Sequence, residues 1–195
     1  HENYLCGVWP SVAASWCISE ENFMANSKTF SDLKLRAGWG KTGNDEIGSD
    51  YNYALFNPTG TGGFQFQNLD KPNLTWETTE QTNVGLDMGF LKNRLLVTID
   101  AYYKKTTDLL VSVQPPPSSG FGAQYYNVGS MENKGIEATV IAHVIDKAFQ
   151  WNINANFSLN RNKVLSLGAY TKNLYFGDIY ERGSAIRIEP GRPLG

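Results

Sequence analysis

Residues 151–160 read WNINANFSLN, with an apolar or aromatic side chain at every odd position and Asn or Ser at every even position. Successive side chains of a β-strand point to opposite faces of its sheet, so this order gives one apolar face and one amide-rich face. A helix, with 3.6 residues per turn, would mix the two sets on its surface. The segment is therefore predicted to be a strand that separates two different environments.

The same alternation recurs at intervals along the rest of the chain. It predicts six strands, near residues 10–18, 33–42, 82–90, 95–110, 133–144 and 150–162. The segment 185–189 is a candidate for a seventh strand. Helical periodicity is almost absent, so the chain is predicted to be all-β with an antiparallel sheet.

The connections between the predicted strands alternate between short and long. Residues 91–94 and 145–149 are short turns, whereas 42–77 is rich in Gly and Asn, and 106–133 contains three consecutive prolines. This alternation places the long connections together at one end of the sheet. Loops of such length are uncommon in compact soluble domains, but they are typical of the extracellular side of an outer-membrane barrel.

The two faces of the predicted sheet are consistent with more than one surrounding medium. The polar face mixes charges of both signs, at Lys34, Arg36, Asp87, Asp100 and Glu137. The apolar face carries aromatic residues near the strand ends, as membrane-interface girdles do, at Trp39, Phe90, Tyr103 and Trp151. A transmembrane barrel segment and a soluble secreted β-sandwich that binds glycans both fit this pattern. A small self-contained barrel of eight strands is a third alternative.

Composition excludes several classes of protein. The 195 residues carry a formal net charge of -2, so there is no basic surface for nucleic acid. No apolar run approaches the roughly 18 residues that a membrane helix needs. Cys6 and Cys17 lie far from His1 and His143, the only histidines, so neither a metal centre nor a cofactor is expected. The two cysteines fit either a disulfide or two unpaired small residues.

Binding is a more natural function for this sequence than catalysis. His143 is the only internal imidazole and lies in an alternating strand, and Gly40-Lys41-Thr42 lacks the first glycine and the helix of a phosphate-binding loop. The chain is therefore expected not to be an enzyme. The long connections hold aromatic rings beside amides, which suit sugars and peptide side chains equally; packing within the loops is the structural alternative. The candidate ligand-binding residues are Tyr51, Tyr53, Tyr125 and Tyr126.

Residues 71–87, KPNLTWETTEQTNVGLD, resemble the motif N-P-x-L-x-W-E-x-T-x-Q-x-N-x-G-x-D that leads into a strand of the SusC/RagA-type TonB-dependent transporters. Several other segments are similar to that family and follow its order: PSVAASW at 10–16, LKLRAGWGKTGN at 33–44, FLKNRL at 90–95, DAYYKKTTDLL at 100–110, NVG at 127–129, ENKGIE at 132–137 and GRPLG at 191–195. The chain departs from the pattern at Lys71-Pro72-Asn73 and at its two cysteines. The resemblance covers nearly the whole chain.

This resemblance implies a segment of a bacterial outer-membrane barrel of about 22 strands, with short turns on the periplasmic side and long loops outside. The whole protein would import oligosaccharides or peptides, energised by the TonB complex and capped by a SusD-like surface lipoprotein, with outer-membrane lipid around the wall. The family's plug domain, TonB-contacting box and terminal aromatic strand are absent from the 195 residues. The chain is therefore expected to be a fragment of the C-terminal part of the barrel, without its closing strand.

Overall fold

The computed structural model of the chain describes residues 7–25, 27–45, 55–58, 62–68, 74–113, 118, 124–146, 148–168, 174–176 and 186–194. These residues form β-strands and their connections, with one 3-10 turn at Ile18–Glu20. The strands are β1 Ser11–Cys17, β2 Phe30–Asn44, β3 Leu55–Pro58, β4 Phe64–Asn68, β5 Glu77–Phe90, β6 Leu95–Thr107, β7 Leu110–Val113, β8 Gln124–Asn127, β9 Ser130–Asp146, β10 Gln150–Ser166, β11 Leu174–Phe176 and β12 Ile186–Ile188. Across the described ranges, no helix is long and apolar enough to cross a membrane.

Six long strands form one antiparallel sheet in the order β1-β2-β5-β6-β9-β10. Each of the six corresponds to a predicted strand, so the prediction of an all-β antiparallel fold is confirmed. The observed strands extend further at the loop end: β5 begins at Glu77 and β10 continues to Ser166. The extension of β5, residues 77–81, is polar on both faces, and that of β10, residues 163–166, is too short to show alternation. Both are strands because a neighbouring strand pairs with their backbone groups.

The remaining six strands form three two-stranded hairpins, β3–β4, β7–β8 and β11–β12. β3–β4 lies in the connection between β2 and β5, and β7–β8 lies in the connection between β6 and β9. The predicted long connections therefore contain β-structure of their own. The candidate seventh strand exists as β12, but it pairs with β11 and does not belong to the large sheet. The predicted strand 95–110 is interrupted after Thr107, because Asp108 has a positive φ of 55°.

The register aligns the apolar residues of the six strands in continuous rows on one face of the sheet. One row consists of Ala14, Ala37, Val84, Ala101, Ile136 and Leu159, and the next of Trp16, Leu35, Leu86, Ile99, Ala138 and Phe157. Two more rows follow towards the short turns, from Leu33 to Ala155 and from Phe90 to Ile153. At about 3.3 Å per residue the four rows span roughly 20 Å, close to the apolar band of about 25 Å on an outer-membrane barrel.

No second layer of the described structure covers this apolar face. Val84 is 47% exposed, Ile136 49%, Ile153 42% and Phe157 62%. In a β-sandwich these side chains would be packed against a facing sheet. Among the residues that the structure describes, the buried apolar side chains are Leu74, Val128, Val164 and Leu167, and they lie at the loop end of the sheet. The structure thus disfavours the soluble sandwich alternative and supports a sheet whose apolar face meets a non-aqueous medium.

Candidate functional site

The polar face of the sheet carries a charged network that joins β2, β5 and β6. The Arg36 guanidinium donates two hydrogen bonds to Asp87, from Nε to Oδ2 at 2.7 Å and from Nη2 to Oδ1 at 3.0 Å. Nη2 also donates to Asp100 Oδ1 at 2.9 Å. Thr98 Oγ1 donates to Asp87 Oδ1 at 3.1 Å. Two-point contact with one carboxylate fixes the orientation of the guanidinium as well as its position.

Glycines beside this network allow long side chains to lie flat across neighbouring strands. A Cβ atom on Gly85 would meet Asp100 and would lie 2.6 Å from Arg36 Nη2. On Gly135 it would lie 2.7 Å from the ring of Tyr102, the residue directly opposite. These two positions must be glycine for the Arg36 and Tyr102 side chains to cross them. The Arg36 guanidinium and the Tyr102 ring therefore lie close against the polar face of the sheet.

The polar face offers charged and hydrogen-bonding groups for recognition of a ligand. In the part of the chain that the structure describes, no catalytic arrangement of side chains is evident. His143 Nδ1 lies 2.7 Å from Asn152 Oδ1 on the neighbouring strand. This contact joins β9 to β10 on the polar face of the sheet. Within the same residues, no group of three or more His, Cys, Asp or Glu could hold a metal ion. Cys17 ends β1 as a half-buried free thiol, and Cys6 lies outside the described residues.

A second cluster fixes the bases of the long loops to the sheet. Asn127, the last residue of β8, accepts a hydrogen bond from Thr75 N at 2.7 Å through its Oδ1 atom. Its Nδ2 atom donates to Thr75 O at 2.8 Å and to Asp108 O at 2.9 Å. Glu77 Oε2 accepts a hydrogen bond from Leu110 N at 3.3 Å. We refer to Thr75, Glu77, Asp108 and Asn127 as the loop-base clamp.

Apolar packing surrounds the loop-base clamp. Leu74 and Val128, each next to a clamp residue in sequence, are 8% and 4% exposed, and Val164 of β10 is 3% exposed. The rings of Trp9 and Trp76 lie 5.6 Å apart between centroids. Gly129 has a φ of 83° and faces the Ser166 carbonyl, so only glycine fits there. Residues of the segments LTWE, at 74–77, and NVG, at 127–129, thus hold the loop bases on the sheet. This structural role was not inferred from the sequence.

The four tyrosines proposed to bind ligand are only partly placed by the structure. Tyr51 and Tyr53 lie outside the described residues. Tyr125 and Tyr126 are half-buried on β8, opposite Ser112 and Val111 of β7. As neighbours on one strand they point to opposite faces of the hairpin, so they do not form a single aromatic surface. Their role in ligand binding stays a prediction.

Aromatic residues lie at both ends of the apolar band. Three aromatic side chains of the outward face donate a hydrogen bond to a glutamate. At the loop end, Trp39 Nε1 donates to Glu80 Oε1 at 2.8 Å, and Tyr103 OH donates to Glu132 Oε2 at 3.0 Å. Within the band, Trp16 Nε1 in the second apolar row donates to Glu21 Oε1 at 2.9 Å. At the short-turn end, Trp151 and Phe149 are exposed. This arrangement is typical of the aromatic girdles of outer-membrane barrels.

An antiparallel sheet with an apolar band between two aromatic girdles, a charged opposite face and long hairpins at one end is a wall segment of a transmembrane β-barrel. Residues 7–186 match the family described as TonB dependent receptor-like, beta-barrel. The chain therefore belongs to the family of TonB-dependent receptor β-barrels.

Individual relatives agree with this assignment. The chain is 40% identical to TonB-dependent receptor P39 of Formosa agariphila over 199 aligned residues, covering 100% of this chain and 18% of that protein. It is 37% identical to TonB-dependent receptor SusC of Bacteroides thetaiotaomicron, covering 94% of this chain and 20% of that protein. The chain spans about a fifth of the length of these relatives.

Solved structures agree as well. The structure of the RagAB peptide importer in its closed-closed state superposes with a TM-score of 0.82 at 31% identity, covering 94% of this chain and 20% of that one. The open-open state superposes with a TM-score of 0.76 at 32% identity, covering 93% of this chain and 20% of that one. The six-stranded sheet therefore has the same fold as a segment of the RagAB importer.

Proposed function

We propose that this chain forms part of the wall and extracellular loops of a TonB-dependent nutrient importer in the bacterial outer membrane. The observation that carries the proposal is the set of four uncovered apolar rows, backed by a charged face that includes Arg36, Asp87 and Asp100. In a membrane the first face contacts lipid and the second lines the lumen. Every backbone group at that depth must be paired, so the edge strands β1 and β10 require neighbours in the complete barrel.

Within this proposal, the whole protein imports oligosaccharides or peptides and has no enzymatic activity of its own. Similarity to SusC and to the RagAB peptide importer supports the transport class, and the name of the second supports peptides as one kind of substrate. Oligosaccharides are proposed from the resemblance of the sequence motifs to the SusC/RagA type. It equally supports a SusD-like surface lipoprotein as partner and the TonB complex as energy source. Tyr51, Tyr53, Tyr125 and Tyr126 remain the proposed ligand contacts in the loops, since each belongs to a connection at the extracellular end.

Two neighbouring substitutions on β9 test the membrane-facing assignment. Val140 lies in the third apolar row, opposite Val97 and Ala155, whereas Thr139 lies on the charged face, opposite Thr98 and Asn156. Val140→Arg should destabilise the assembled barrel by about 2–4 kcal/mol, as cations near the bilayer midplane do, and Thr139→Arg should be tolerated better. The amount of folded full-length protein in the outer-membrane fraction is the measurement. Equal loss from both variants, or no protein in that fraction for the unmodified chain, would refute the proposal.

A further inference from the structure

Beyond the loop-end aromatic girdle, the outward face of the sheet changes from apolar to charged. Lys41, Glu80, Lys105, Glu132 and Lys163 are directly paired across β2, β5, β6, β9 and β10, and their charges alternate in sign. The adjacent row on the membrane side contains Trp39, Thr82, Tyr103, Lys134 and Arg161. We refer to the seven charged residues of these two rows as the charged rim; five of them are cations.

Both carboxylates of the charged rim already have donors. Glu80 accepts the hydrogen bond from Trp39 Nε1, and its Oε2 atom lies 3.8 Å from Lys41 Nζ. Glu132 accepts the hydrogen bond from Tyr103 OH. Lys41 in turn lies over the Trp39 ring, 5.9 Å from its centroid. Both carboxylates therefore have hydrogen-bond donors other than Lys105, Lys134, Arg161 and Lys163, and Glu80 has Lys41 as its cation.

The other four cations of the rim are Lys105, Lys134, Arg161 and Lys163, and all four are exposed. None of them forms an ion pair with any residue in the described ranges. Lys134 and Arg161 are directly opposite one another on β9 and β10. Side chains in such positions have Cβ atoms about 4.5–5.5 Å apart, and like charges there repel each other. An anion bound between the two cations would remove this repulsion.

We propose that Lys134 and Arg161, with Lys105 and Lys163 beside them, bind the phosphate groups of lipid head groups in the outer leaflet. The four cations lie at and just beyond the level of Tyr103, an interfacial ring, which is the depth of the head groups. Arginine suits phosphate because its planar guanidinium can donate two parallel hydrogen bonds, and lysine adds a mobile positive charge. The inference rests on the proposed function, because it requires the outward face to lie in a membrane.

The test uses the full-length protein, extracted from membranes and incubated with phosphatidylcholine vesicles that contain diphosphoryl lipid A. Lipid retained after transfer to detergent is counted by native mass spectrometry. The variant is the double substitution Lys134→Gln and Arg161→Gln. The matched control is Lys28→Gln with Lys92→Gln, which removes the same charge from exposed positions at the short-turn end. Vesicles with dephosphorylated lipid A separate phosphate recognition from general lipid contact.

The rim variant should retain the phosphorylated lipid roughly 25-fold less strongly, given about fivefold for each basic residue near an anionic surface. The control should retain it as the unmodified protein does, and the dephosphorylated lipid should bind all proteins equally weakly. The midpoint temperature of thermal unfolding, measured without lipid, should be unchanged or slightly higher in the rim variant, because a like-charge pair is removed. Unchanged retention by a folded, membrane-located rim variant would overturn the lipid site alone. Absence of the unmodified protein from the outer membrane would instead overturn the proposed function.

Discussion

At the scale of single residues, the side chain of Asn127 connects three segments of the chain that are distant in sequence. Its amide bonds to both backbone groups of Thr75, 52 positions away, and to the carbonyl of Asp108, 19 positions away. Neither distance is implied by spacing in the sequence, since the long connections between these segments have no fixed length. The presence of the motifs could be recognised from the sequence, but the mutual contact of LTWE and NVG required the structure.

Asn127→Ala should destabilise the loop end of the sheet by about 1–3 kcal/mol, because two carbonyls and one N–H lose a partner in a half-buried place. Limited proteolysis of the full-length protein in membranes is the measurement, with faster cleavage expected within the β7–β8 hairpin. Asn156→Ala is the control, since Asn156 is an exposed asparagine of β10 with no side-chain hydrogen bond among the described residues. Similar cleavage rates in both variants would contradict the clamp.

The Arg36 network makes a second prediction at this scale. Arg36→Met leaves Asp87 and Asp100 without their shared cation, so the free energy of unfolding should fall. Hydrogen bonds to charged groups contribute about 1.5–3 kcal/mol, but the side chains of Arg36 and Asp87 are 33% and 30% exposed, so a loss of about 1–2 kcal/mol is expected. Urea unfolding in detergent micelles measures it. Lys34→Met on the same strand and face should change stability less, because Lys34 has no ion pair among the described residues.

At the scale of elements, the six wall strands could be predicted because each places apolar and polar residues on opposite faces. Their polar extensions could not, since residues such as Glu77 to Gln81 show no alternation and are paired by their neighbours. Phe64, Phe66 and their intervening glutamine do alternate, and this short signal marks β4 inside a segment otherwise expected to be loop. Long segments rich in Gly and Asn mask such short strands, because a period of two needs several repeats to stand out.

The turn between β5 and β6 is strained in a way that a substitution can relieve. Leu91, Lys92 and Asn93 all have positive φ, at 54°, 58° and 63°. Leu91 is 71% exposed, so its side chain contributes little packing. Leu91→Gly should stabilise the protein by about 0.5–1 kcal/mol relative to Leu91→Ala, because relief of a left-handed conformation exceeds the entropy that glycine gains on unfolding. Unfolding midpoints of the two variants provide the comparison, and a lower midpoint for Leu91→Gly would count against strain at this turn.

At the scale of the whole molecule, the described sheet has an apolar outward face and two edge strands, β1 and β10. Unpaired strand edges are templates for association with other chains. The 195-residue chain expressed alone should therefore sediment as large, polydisperse species in buffer, and as smaller species once detergent covers the apolar rows. Sedimentation velocity with and without detergent is the measurement. A stable monomer in detergent-free buffer would contradict the membrane-facing assignment.

The loop-base clamp also has a consequence for changes in loop length. Asp108 and Asn127 fasten both strands of the β7–β8 hairpin at the point where they leave the wall. Insertions or deletions beyond Val113 and before Gln124 are then absorbed outside this fastening and leave the register of β6 and β9 unchanged. Outer hairpins of different length and sequence therefore fit the same wall without a change in its strand pairing.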